Sequence, residues 1–139
     1  MIDDVFINKS ETIKRCIQRV NEEYESNPKN LEIYRRQDSI ILNLQRLCEA
    51  CLNLATHLIR KKKLGIPQSS KDCFVLLEKA GLLSSELSAR LQSMVGFRNI
   101  AVHEYQSLNL KIVQKVIEDY MYDGLKLIDE INQILNTPS

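Results

Sequence analysis

Ser39–Gly65 reads SIILNLQRLCEACLNLATHLIRKKKLG, and the fold turns on how this stretch is read. Ile40, Ile41, Leu44, Leu47, Cys48, Cys51, Leu52, Ala55, Leu58 and Ile59 return every three or four residues over many turns. That spacing is one face of an α-helix, and no strand-type alternation competes with it. The predicted helix runs from about Leu31 to Leu64, with Gly65 and Pro67 as its stop. Lys61, Lys62 and Lys63 fall in its last turn, where the helix dipole favours cations. An RNA contact is the competing reading of that basic run. Cys48 and Cys51 form a CxxC pair on the apolar face, but a structural zinc site wants four Cys or His ligands in paired spacing. Cys16 and Cys73 stand singly, so the pair reads as two small apolar residues.

The same period extends to both sides. A first helix is predicted over about Asp3–Ser26, on a stripe of Phe6, Ile13, Cys16, Ile17 and Val20, ended by SNPKN. A short third helix is predicted over about Lys71–Ala80, with Ser69 or Ser70 as cap and Gly81 as stop. A fourth begins at Ser84 or Ser85 and runs to about Glu104. A fifth runs from an Asn109 cap to about Leu135. The 139 residues include only four glycines, three prolines and no tryptophan. The expected fold is therefore all-α, an up-and-down bundle of about five helices, in one domain over residues 1–139. Leucine-rich faces on three long helices exceed what one bundle buries, which leaves surface for a second copy.

A formal net charge of +1 carries no footprint of nucleic-acid binding, so any basic surface must be local. No secretory leader and no apolar run near the ~18 residues of a membrane span are expected. A cytoplasmic protein with reduced thiols and no membrane contact follows.

One arginine breaks the pattern. On the fourth helix Leu87, Leu91, Met94, Arg98, Ala101 and Tyr105 fall within about 40° of one line. A charge on such a seam must be paired or used, because arginine cannot shed its proton. A carboxylate on a neighbouring helix is the plain structural partner. His103, one of only two histidines, lies about 140° round a straight helix from Arg98. For the two to share a site, the helix must deform near Gly96 or end before His103, or two chains must meet and pool their residues. On the second helix Glu49, Asn53 and His57 form a polar stripe, either a network facing the motif or solvated surface.

FRNIAVHEY, Phe97–Tyr105, resembles the signature of HEPN-domain proteins: an Arg, a polar residue, a short spacer and a His. Tyr105 makes it similar to the branch known as HepT. LQRLCEACLNLATHLI, Leu44–Ile59, resembles the second helix of that branch, and Lys71–Tyr105 resembles its third and fourth. The resemblance implies a helical bundle that dimerises with the motif at a shared cleft. It implies a metal-independent endoribonuclease toxin with no cofactor, whose substrate is RNA. It also implies an antitoxin partner, a nucleotidyltransferase of the MNT type that adds AMP to Tyr105. Many relatives carry an acidic residue where this chain has Asn53, so that role is absent here or moved to Glu49.

The chemistry suits these residues. Metal-free cleavage uses the RNA 2′-OH as nucleophile and needs a base, an acid and a cation for the charged phosphorane. Histidine titrates near working pH, and the arginine fork binds phosphate oxygens in pairs. His103 of one chain is expected as base and His103 of the other as acid. Arg98 is the expected phosphate clamp, with Asn99 orienting the phosphate. Two other readings compete: a non-catalytic helical module that binds a nucleotidyltransferase, and a plain structural dimer.

Overall fold

The computed structural model describes residues 3–103 and 108–136. Among them every regular element is helical, as expected. Helix α1 spans Asp4–Tyr24, α2 Tyr34–Lys62, α3 Ser70–Lys79, α4 Ser85–His103, α5 Leu110–Lys115 and α6 Asp123–Asn136. α1 packs along α2 over most of its length, and α2 also touches α3, α4 and α6. The core therefore forms around α2, whose Ile40, Leu44, Leu47 and Ala55 are completely buried. Burial follows the apolar face read from the sequence, and burying each of its leucines and isoleucines is worth roughly 1.5–3 kcal/mol.

Two predicted helices are shorter than their periodicity suggested. The second does not begin at Leu31. Pro28–Glu32 forms a separate 3₁₀ turn capped by Asn27, and Ile33 is extended before α2 starts. Leu31 is buried in that turn and is not part of the α2 stripe, which begins at Ile40. The fifth is interrupted. Val116–Tyr120 is a π-turn in which Met121 N–H donates to Val116 O at 2.7 Å, one residue further back than in an α-helix. Beyond it, Gly124 lets α6 sit close on the core. A Cβ there would lie 3.0 Å from Ile13 Cγ2 and 3.1 Å from Leu47 Cδ1.

All four cysteines are buried and free. Burial pushes the Cys48 thiol up to about 12 and Cys51 well above its ordinary value. No group of three or more His, Cys, Asp or Glu among the described residues could hold a metal ion. Cys48 and Cys51 are both packed in the core, as two small apolar residues on a buried helix face would be. No helix among the described residues is long and apolar enough to cross a membrane.

The start of α1 is tied to the end of α2. Asp3 caps α1 by accepting from Phe6 N–H at 3.0 Å, and its other oxygen meets His57 Nε2 at 2.7 Å and Lys61 Nζ at 3.0 Å. Burial alone would raise the Asp3 carboxyl, but the bonds from His57, Phe6 N–H and Lys61 outweigh it and hold the group well below the usual carboxylate range. A depressed folded pKa stabilises fully above the unfolded value of ~3.9, and that stability is lost as pH falls through the folded value. Asp3→Asn is therefore expected to lower stability by about 1–2 kcal/mol at neutral pH. The gap from the native chain should hold down to about pH 4 and narrow below it. Melting temperatures of both chains against pH measure this; a gap that widens in acid would contradict it.

Candidate active site

α4 presents the motif. Leu87, Leu91, Met94 and Ala101 are buried, so the predicted seam is real, and Arg98 sits on it with 19% of its side chain exposed. Two neighbours hold the guanidinium. Glu49 Oε1 on α2 lies 3.1 Å from Arg98 Nε, and Ser70 Oγ, the first residue of α3, accepts from Arg98 Nη2 at 3.2 Å. The Glu49 contact is Coulombic rather than a directed bond, because the buried Nε–H does not point along it. Glu49 is half-exposed, and a pair of this kind is worth about 1 kcal/mol or less. It orients Arg98 more than it neutralises it. Arginine has five N–H donors in a planar fork, and one is committed to Ser70. Its remaining edge can still take an anion.

The partner carboxylate was foreseen in kind, and Glu49 in person as the substitute for an acid at position 53. Asn53 is exposed. Ser70 was foreseen only as a helix cap, a role that Ser69 fills by accepting from Asp72 N–H at 3.1 Å. The Glu49–Asn53–His57 stripe is not one network. Glu49 serves Arg98, while His57 serves Asp3.

Asn99 and His103 are both exposed, and α4 runs unbroken from Ser85 through His103. The helix neither deforms at Gly96 nor stops short of the histidine. Arg98 and His103 of one chain thus point about 140° apart. Of the two ways to unite them, the first is removed. His103 lies in the last described turn of α4. Tyr105 lies outside the described residues, and so does the predicted end of this helix at Glu104.

The site can bind an anion at Arg98 and exchange protons at His103, but not at one point within one chain. Comparison with known proteins bears on what that serves. A family profile described as ribonuclease HepT-like matches residues 10–133. The chain is 49% identical over 130 residues to the mRNA nuclease HepT of Shewanella oneidensis, covering 94% of this chain and 98% of that one. It is 28% identical over 94 residues to the tRNA nuclease HepT of Aphanizomenon flos-aquae, covering 68% and 64%. Among solved structures, a toxin–antitoxin complex with AMP-PNP matches with a TM-score of 0.89 at 48% identity, over 94% of this chain and 98% of that one. The tri-AMPylated Shewanella oneidensis HEPN toxin in complex with MNT antitoxin matches with a TM-score of 0.88 at 48% identity, over the same shares.

Proposed function

The chain belongs to the ribonuclease HepT-like family, and on that premise we propose that it is the toxin of a toxin–antitoxin pair, a metal-independent endoribonuclease. It acts in the cytoplasm as a homodimer of one HEPN-like domain per chain. The observation that carries the reading is Arg98 fixed by Glu49 and Ser70 on an unbroken helix that also displays His103. In two copies meeting about a two-fold axis, the Arg98 of each chain and the His103 of each line one cleft. Val102, half-exposed beside His103, offers apolar surface for that contact.

In the cleft one His103 takes the proton of the RNA 2′-OH. The oxygen attacks the adjacent phosphorus, and Arg98 binds the phosphorane oxygens as charge builds on them. The second His103 gives its proton to the leaving 5′-oxygen, leaving a 2′,3′-cyclic phosphate. Asn99 contacts the phosphate and fixes its orientation. No step calls for a metal or cofactor.

The test is incubation of the purified chain with total RNA in EDTA. Fragments ending in 2′,3′-cyclic phosphate support the reading; intact RNA contradicts it. The second reading, a non-catalytic module, draws on the Arg98–Glu49 pair, which a purely structural arginine also makes. Intact RNA would favour it.

The partner in this reading is an MNT-type nucleotidyltransferase that neutralises the toxin by adding AMP to Tyr105. An AMP group on Tyr105, seven residues after Arg98 in the chain, would bring a phosphate that competes with RNA for the arginine. Incubated with that enzyme and ATP, the native chain should gain AMP by intact mass and Tyr105→Phe should not. AMP on the phenylalanine variant would place the acceptor elsewhere.

A further inference from the structure

Beside the motif runs a groove of about 370 Å³ between α4, the start of α3 and the α5–π-turn segment. Its apolar side is built from Phe97, Ile100 and Ile112, with the two isoleucines about 40% exposed. Lys71 and Lys115 line it, and no carboxylate does among the described residues. The groove between α1 and α2 is different: there Arg19 and Arg46 face Glu22, Glu23 and Asp38, and the mixed charge selects no ligand.

Gly96 also lines the groove. It sits within α4, where glycine costs about 1 kcal/mol against alanine. Nothing among the described residues requires it. Its φ is not in the left-handed region, and the nearest atom a Cβ would meet is Lys71 Nζ, at an ordinary 3.8 Å. A helical glycine that neither turns the chain nor relieves crowding leaves room for something outside it. Gly96, Ile100 and His103 follow at i, i+4 and i+7, so the groove shares one face of α4 with the histidine. It is also joined to the arginine, since Ser70, which accepts from Arg98, immediately precedes Lys71.

We infer that this groove seats the RNA strand next to the scissile bond, with phosphates at Lys71 and Lys115 and a base against Ile100 and Ile112. The inference rests on the ribonuclease reading and adds to it the residues that hold the strand. An apolar strip flanked by cations fits single-stranded RNA, whose splayed bases need a surface and whose phosphates need charge. It also answers the near-neutral composition: the basic surface is local, two lysines without an opposing acid among the described residues.

The test uses a fluorescein-labelled single-stranded RNA oligonucleotide of mixed sequence and the His103→Ala chain, so that binding is read without cleavage. Each phosphate contact on a single strand contributes about 0.7 to the slope of log affinity against log salt. Lys71→Ala and Lys115→Ala should each weaken binding and each lower that slope by about 0.7. Lys71→Arg should restore the slope. Lys79→Ala, at the far end of α3 and outside the groove, should leave it unchanged. Gly96→Ala should melt no lower than its parent yet bind RNA more weakly, which a merely structural glycine would not do. If both lysine variants keep the parent slope while the native chain still cuts RNA, the groove is not the seat and the ribonuclease reading stands. The inference is also overturned if Ile100→Asp turns the dimer into monomers, because the groove is then closed between copies. Failure of the native chain to cut RNA in EDTA marks the failure of the ribonuclease reading itself.

Discussion

His103→Ala is expected to lower the rate of RNA cleavage in EDTA by about 10²–10⁴, the usual contribution of a positioned acid or base. Arg98→Ala is expected to lower it by about 10²–10³, the loss seen when a preorganised donor to a developing oxyanion is removed. The two should differ in what replaces them. Arg98→Lys keeps the charge but loses the planar fork and the reach to Ser70, so it should recover little. Glu49→Gln should retain most activity, because the half-exposed carboxylate orients Arg98 without a directed bond. Single-turnover rates on one RNA at saturating protein measure all four. Equal rates for the native chain and His103→Ala would remove the histidine from the mechanism.

The second large effect concerns stability. Arg90 on α4 reaches across to the segment that follows the π-turn. Its Nε donates to Asp123 Oδ2 at 2.8 Å, and its guanidinium carbon lies 4.6 Å from the centre of the Tyr120 ring. It also donates to Asp119 O. Asp123 has only 2% of its side chain exposed, and its other neighbour, Lys126 Nζ, is 3.8 Å away on an exposed stem. Arg90→Ala would leave a buried carboxylate almost unpaired, at a cost of roughly 3–5 kcal/mol. For a chain of this size that lowers the melting temperature by about 10–15 °C. Replacing both partners, Arg90→Met with Asp123→Leu, should recover most of the loss, because no orphaned charge remains. A melting temperature within about 2 °C of native for Arg90→Ala would contradict this account.

The sequence announced the helices through their period and hid what depends on tertiary contact. The faces of α1 and α2 were legible because Ile13, Val20, Leu44 and Leu47 recur at helical spacing and all are fully buried. The break at Ile33 was not, because Leu31 is an apolar, buried residue just ahead of α2 while belonging to another turn. The π-turn escaped for a related reason. One extra residue shifts the phase by about 100°, and a stripe as broad as Val113, Val116, Ile117 and Met121 absorbs the shift. Arg98 stood out because a charge on an apolar seam is rare, so a partner on another helix was foreseeable. Ser70 was not, since 28 residues separate it from Arg98 and nothing local marks the contact. Glu49 and His57 seemed one stripe, but eight residues set them about 12 Å and about 80° apart on a helix, enough to give each a different neighbour. His57 instead finds Asp3, 54 residues away.

The central claim is that one cleft uses His103 from two chains. Its most direct test is to co-refold native chain with His103→Ala in varied ratio and measure cleavage in EDTA. If both histidines are needed, only native–native dimers cut, and activity falls as the square of the native fraction. That is the predicted result. A fall in direct proportion to the native fraction would mean that each chain works alone, and would contradict the shared cleft.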